Sequence, residues 1–324
     1  MLGGVIQTLR EAARERFIRP HYHAYVRING GTEYRIVLPK CPLDVEFVAD
    51  PFLFWYGGEV YLFFEGLYAD RGNRGRAKGV IGCLRENNGN WEYVGVVLEE
   101  LYHLSYPQVF SFDDRIFMIP ESGQASEVAL YEAVEFPKKW IKKSVLISGK
   151  YVDSSIIKND EKFYIMTAPE DPSLPAEVWI SDHLDGEWKQ HPQSGNILSS
   201  QMYRRNGGAI CVFNGKLFRI AQDCDTGYGR LLYRIPITDV SPETYAEGSP
   251  EKLSVAIGWP QLGFHHTYNA LVCLKGQVEV IDRHFNTIKG PVAFCASTIW
   301  FVLDGVRYLI KRIFMSSNHK GELK

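Results

Sequence analysis

Five times in this chain an apolar strand reaches a two-residue polar or glycine turn and comes back as a second strand. The turns are Gly57-Gly58, Asp113-Asp114, Asp160-Glu161, Asn214-Gly215 and Lys275-Gly276, and corresponding positions recur every 47 to 61 residues. The flanking strands are almost continuously apolar, as in Val60-Tyr61-Leu62-Phe63-Phe64 after the first turn. Units of this kind pack on their neighbours, so an array of five has to close into a ring. A second hairpin follows each of the first three pairs and ends near a tryptophan, at Trp91, Trp140 and Trp188. Four strands per unit predict an all-β protein, a five-bladed β-propeller with four-stranded antiparallel blades, the tryptophans packing between blades.

The ends read differently. Leu2, Val5, Ile6, Leu9, Ala13 and Phe17 fall at helical spacing before Pro20, which predicts a short N-terminal amphipathic helix within residues 1–21. Residues 22–290 then form the propeller, with residues 22–48 leading into the first blade. Residues 291–324 combine an apolar run with Arg307, Lys311 and Arg312. That segment either closes the ring or lies on a membrane surface, and residues 2–19 carry the same alternative, a helix on the propeller's flank or one at a lipid interface. Contact with a membrane is therefore expected, if at all, through residues 2–19 and 292–314.

A formal net charge of −2 leaves no global field for nucleic acid. The six cysteines form no CxxC pair, which favours buried thiols over disulfides or a zinc site. The first twenty residues contain no apolar leader core, so the expected compartment is the cytoplasm, with the inner face of a membrane as the place of any lipid contact.

In a propeller the first strands of all blades begin around one axis. Aligned on the turns, Asp50 corresponds to Tyr106, Asp153, Gly207 and Tyr268, while Glu65 corresponds to Glu121, Ala168, Gln222 and Arg283. Asp50, Asp153 and Glu121 are the candidate catalytic residues, with Glu65 beside them, because carboxyls converging on one cavity equip a site for glycosyl chemistry. His103, Arg204, Arg205, Asn206, Gln222, Asp223, His265, His266, Tyr106 and Tyr268 cluster at the same strand ends as candidate substrate-binding residues. Adjacent arginines can grip a phosphate. The paired histidines have no carboxylate at ligand spacing, so no metal ligand is assigned and any divalent metal requirement stays open.

Ala49-Asp50-Pro51-Phe52, His103-Leu104-Ser105-Tyr106-Pro107, Pro120-Glu121, Val152-Asp153-Ser154, Arg205-Asn206-Gly207-Gly208, Gln222-Asp223-Cys224 and His265-His266 together resemble a known family. It is the N-terminal domain of plant glucosamine inositolphosphorylceramide transferases and its bacterial relatives, of the propeller superfamily that includes family-43 and family-32 glycoside hydrolases. The resemblance implies that Asp50 is a general base and Asp153 tunes an acid, while Asn206 falls where the hydrolases keep their acid glutamate. An amide cannot donate that proton, which points to a glycosyltransferase of glycan or glycolipid synthesis. Its donor would be a nucleotide sugar, with Arg204 and Arg205 on the diphosphate and Asp50 deprotonating the acceptor. The alternatives are a glycoside hydrolase or phosphorylase with Glu121 or Glu65 as acid, and a non-catalytic glycan-binding propeller.

Overall fold

The structure is a computed structural model that describes residues 18–288 except 30, 32–34, 38–44, 46, 69–77, 201, 226–230, 254–264 and 275. The chain divides into two units, one formed by Tyr22–His284 and the other by Met1–His21 with Phe285–Lys324. Of the second unit only residues 18–21 and 285–288 are described, and both stretches are strand. The predicted helix thus falls almost wholly outside the described residues. Where it does not, the chain is strand, since Pro20 fits an extended backbone and not a helix interior.

The first two strands, β1 (Ile18–Ile28) and β2 (Arg35–Ile36), precede the first repeat. The first sheet is β3 (Ala49–Tyr56), β4 (Glu59–Tyr68), β5 (Lys78–Asn87) and β6 (Asn90–Leu98) in that order. The second is β7 (Ser105–Phe112), β8 (Arg115–Ser122), β9 (Glu127–Glu135) and β10 (Lys139–Ser148). β11 (Tyr151–Asn159), β12 (Lys162–Pro169), β13 (Glu177–Ser181) and β14 (Lys189–Gln190) make the third.

The fourth sheet has six segments. Its inner position is split into β15 (Arg205–Asn206) and β16 (Cys211–Phe213), followed by β17 (Lys216–Asp223) and β18 (Leu231–Val240). Its outer edge is shared by β19 (Tyr245–Glu247) and β20 (Glu251–Lys252). The fifth sheet runs from β21 (Tyr268–Cys273) and β22 (Gly276–Ile288) outward through β1 to β2. This five-bladed propeller agrees with the repeat, with one difference: the strands before Asp50 do not lead into blade one but complete blade five. That blade therefore has four strands without residues 291–324, which lie outside the described residues.

Five apolar clusters hold the ring, each drawn from two neighbouring blades. Phe63 enters the cluster between blades one and two, whereas Leu62 and Phe64, pointing the other way along β4, enter the cluster between blades five and one. This double burial explains why the strands lack the polar alternation of a one-sided sheet. Trp140 and Trp188 are buried in two of these clusters and Trp91 packs against a third. Phe63 of blade one meets the Trp140 ring edge-on at 5.9 Å. Among the described cysteines, Cys83, Cys211 and Cys273 are free thiols.

Candidate active site

The geometry that builds the site is a β-bulge used three times. Pairing shifts register between Ala49 and Phe52, between Ser105 and Gln108, and between Val152 and Ser155. Within these bulges Asp50, Tyr106 and Asp153 have φ of 46°, 48° and 50°. Left-handed backbone is sparsely populated by non-glycine residues and costs about 1–3 kcal/mol at each, so the surroundings must hold it. They do so through N–H groups that the bulge frees from the ladder. Each donates to a carboxylate of the preceding blade: Tyr106 to Asp50 Oδ2 at 3.2 Å, Asp153 to Glu121 Oε2 at 3.0 Å, and Asp50 to Asp282 Oδ2 at 3.3 Å.

The bulged ends surround a cavity of about 320 Å³ lined by Tyr22, Phe47, Asp50, Glu65, His103, Ser105, Glu121, Asp153, Arg205 and His266. Seven of the residues read from the sequence thus meet there, contributed by all five blades. Thr267 Oγ1 donates to Asp50 Oδ1 at 2.6 Å, and His266 Nδ1 lies 3.3 Å from the same oxygen. Burial is the main cause raising Asp50 to about 7; the nearby His266 works against it, and Glu65, Asp282 and Asp153 add to it. Glu121 is raised to about 8, first by burial and then by Asp153, with Arg205 opposing. Arg205 Nε binds Asp153 Oδ2 at 2.6 Å, and its Nη2 is 3.9 Å from Glu121.

On the opposite wall His103 Nδ1 accepts the Gly79 N–H at 3.0 Å, which leaves Nε2–H facing Glu65 Oε1 at 3.2 Å. Burial disfavours the imidazolium, but Glu65, joined by Glu121 and Asp50, raises His103 above its ordinary value. The seat depends on glycine, because a Cβ at Gly79 would stand 2.4 Å from Leu104 O and 2.6 Å from the His103 ring. Gly79→Ala is therefore expected to displace His103 and to cost about 1–3 kcal/mol, the range for overpacking. Chemical denaturation would read the cost, and an unchanged midpoint would contradict it.

The other residues expected at the site do other work. Arg204 is spent on the backbone carbonyls of Pro169, Asp171 and Leu174. Asn206 is buried and donates to Asp153 O and Met166 O, each at 2.8 Å, so it pins blade four to blade three. Gln222 Nε2 donates to Asp153 Oδ2 at 3.0 Å and supports that carboxylate without lining the cavity. The Tyr106 phenol is fully buried beneath the site and exchanges hydrogen bonds with Gly208 and Ser155. The Tyr268 hydroxyl donates to Glu279, Asp223 accepts the Asp225 N–H, and His265 is held below its ordinary value by burial. None of these four side chains lines the cavity.

One central residue is missed by the turn alignment. Cys273 pairs with Gly276, so Gly276 already belongs to the returning strand and the register lies one position earlier than the Lys275-Gly276 reading. The fifth residue equivalent to Glu65 is consequently Asp282 and not Arg283. Asp282 is fully buried and accepts four N–H groups, those of His266 and Thr267 on Oδ1 (3.0 and 3.1 Å), and His266 Nδ1 and the Asp50 N–H on Oδ2 (2.6 and 3.3 Å). Possible ligand atoms of Asp50, His266 and Asp282 lie within 4.8 Å of one another. Because both Asp282 oxygens are already filled by donors, the trio is built as a hydrogen-bonded ion pair.

Residues 38–256 match the family described as glucosamine inositolphosphorylceramide transferase 1, N-terminal. The chain belongs to this family. Glucosamine inositolphosphorylceramide transferase 1 of Oryza sativa subsp. japonica is 32% identical over 249 residues, which cover 73% of this chain and 33% of the relative. The Arabidopsis thaliana protein of the same name is 34% identical over 214 residues, 63% of this chain and 27% of the relative. The chain thus spans about a third of the length of these relatives.

Among solved structures, an exo-beta-1,3-galactanase from Phanerochaete chrysosporium superposes with a TM-score of 0.52 at 11% identity, covering 76% of this chain and 64% of that one. A GH43 protein from Bacillus licheniformis gives 0.51 at 15% identity, covering 71% and 51%. At such identities the likeness is one of fold.

Proposed function

We propose that the cavity is the active site of a carbohydrate-active enzyme that transfers a glycosyl group, with Asp50 as base and Glu121 as acid. The observation that carries this reading is two carboxyls in one buried cavity, at about 7 and about 8. Near neutral pH a large fraction of Asp50 is ionised while Glu121 keeps its proton, the division of labour that glycosyl transfer needs. Asp50 takes the proton of the attacking hydroxyl as its oxygen bonds to the anomeric carbon. Glu121 gives its proton to the departing oxygen as the old glycosidic bond breaks. The donor that sequence alone denied to Asn206 is supplied from blade two.

The name of the plant relatives supports a sugar or glycolipid hydroxyl as acceptor. Stretches 2–19, of which only 18 and 19 are described, and 292–314, outside the described residues, are proposed to hold the protein at the cytoplasmic face of a membrane carrying such an acceptor. For the donor, the ion pairing is informative. Among the described residues lining the cavity, Arg205 faces Asp153 and His266 Nδ1 faces both Asp50 and Asp282, while His103 takes the Gly79 N–H on Nδ1 and faces Glu65 through Nε2. With Arg204 also committed, a diphosphate would have to break an existing pair, which favours an uncharged donor over a nucleotide sugar. The same observation favours a second reading, in which water is the acceptor and the enzyme is a hydrolase.

The test is turnover of aryl glycosides and nucleotide sugars, with and without sugar acceptors, by the intact chain and by Asp50→Asn. Product formation that falls by about 10²–10⁴-fold in Asp50→Asn supports the proposal. Binding of sugars with no turnover of any donor would make the cavity a binding site and overturn it. The kcat/KM profile is expected to be a narrow bell. It rises as Asp50 loses its proton through about 7 and falls as Glu121 loses its own through about 8. A donor whose leaving group needs no proton should lose the alkaline limb and keep the acid one.

A further inference from the structure

We infer that Asp282 is a positioning residue for Asp50, acting through His266. The inference rests on the reading of Asp50 as the base. Asp282 does not line the cavity, yet its two oxygens fix two of the groups that touch the Asp50 carboxylate, Thr267 and His266 on Oδ1. Oδ1 takes the N–H groups of His266 and Thr267, which sets the loop from which Thr267 Oγ1 reaches Asp50 at 2.6 Å. Oδ2 takes His266 Nδ1 at 2.6 Å and the N–H of Asp50 itself at 3.3 Å. The two carboxylates thus share one ring nitrogen, His266 Nδ1, which is 2.6 Å from Asp282 Oδ2 and 3.3 Å from Asp50 Oδ1, with the Tyr22 ring stacked on the imidazole at 4.9 Å.

A buried carboxylate hydrogen-bonded to Nδ1 holds the imidazole's orientation and favours its cationic form. Burial alone works against that cation, and Asp282 followed by Asp50 overcomes it to raise His266 to about 9. The cation in turn lowers the proton affinity of Asp50 against what burial, Glu65, Asp282 and Asp153 impose. The other ionisable groups facing this cluster are Tyr22 of β1, His103 before β7, Glu121 of β8, Arg205 of β15 and His265 beside His266. Of the groups that work on Asp50, only His266 is both cationic and in contact with it, so Asp282 controls Asp50 by controlling that imidazole.

The experiment is an NMR titration of the intact chain, following the Asp50 carboxyl carbon and the His266 ring nitrogens. In the unmodified protein both His266 nitrogens are expected to carry protons at pH 7.5. A neutral His266 there overturns the inference without any variant. In His266→Gln the Asp50 midpoint should rise by about one unit, tenfold in proton affinity, and in Asp282→Asn it should rise by less, because loss of the Asp282 charge by itself lowers Asp50. The double variant should shift it no further than His266→Gln alone; an unmoved midpoint in a folded Asp282→Asn, or additive shifts in the double variant, would defeat the inference. Where a substrate is turned over, the acid limb of kcat/KM must move with the midpoint while the alkaline limb stays. These NMR results stand apart from the functional reading: a relay that titrates as described in a protein that turns over no sugar would refute the function and leave the inference intact.

Discussion

Glu121→Gln is expected to cut turnover by about 10²–10⁴-fold while making the folded chain more stable above neutral pH. Glutamine keeps an oxygen for the Asp153 N–H that Glu121 Oε2 now accepts, so the bulge below it survives. It cannot give a proton to a leaving oxygen. The stability change follows from proton linkage. Glu121 is raised from 4.5 to about 8 by folding, chiefly through burial. The folded chain therefore keeps a proton that the unfolded chain releases above about 4.5, and folding stability drops as pH climbs from there to about 8. Removing the ionisable group removes that slope. The variant should gain about 1–3 kcal/mol over the parent at pH 8 to 9 and little at pH 4, read from denaturant midpoints at both pH values. A variant that loses activity and is less stable at both would show that Glu121 serves the fold instead.

A second large effect is expected away from the cavity. Arg219 is fully buried in β17 with Glu247, Nε to Oε1 at 2.5 Å and Nη2 to Oε2 at 2.9 Å. The guanidinium also donates to Tyr203 O and Leu198 O, and the Tyr245 hydroxyl and the Leu198 N–H complete the glutamate. This pair takes the place of the regular inner strand that blade four lacks, fixing the segment that leads into Asn206. Arg219→Met leaves a buried carboxylate with no counter-ion and should cost about 3–5 kcal/mol. Arg219→Met combined with Glu247→Leu should recover much of the loss, since desolvating the pair is itself expensive. Equal losses in the single and the double variant would show that packing, and not charge, is what the arginine supplies.

What the sequence discloses about the site depends on how well the repeat fixes register. Asp50, Glu65, Glu121 and Asp153 are legible because three hairpins turn at the same count from the strand ends. Asp282 is displaced by one residue because Gly276, a good turn former, is the first residue of a strand. Arg204 and Arg205 look equivalent in a string, but adjacent residues at the start of a strand point to opposite sides, so only Arg205 faces the cavity. Tyr106 shares the bulge of Asp50, yet its longer side chain crosses beneath the axis to Gly208. Tyr22 and Phe47 precede the first repeat, so no alignment of copies could reach them.

The fifth blade is built from β1 and β2 at one end of the described sequence and β21 and β22 at the other. The hydrogen bond from the Asp50 N–H to Asp282 spans 232 residues and crosses that same seam. This gives the protein a timetable. During synthesis four blades can pair from local hairpins, but the contacts that orient Asp50 wait for the last strand, so closure is the slow, high-contact-order step. A chain whose seam is open has Glu121 in place but lacks the Asp282 contact that holds the Asp50 backbone.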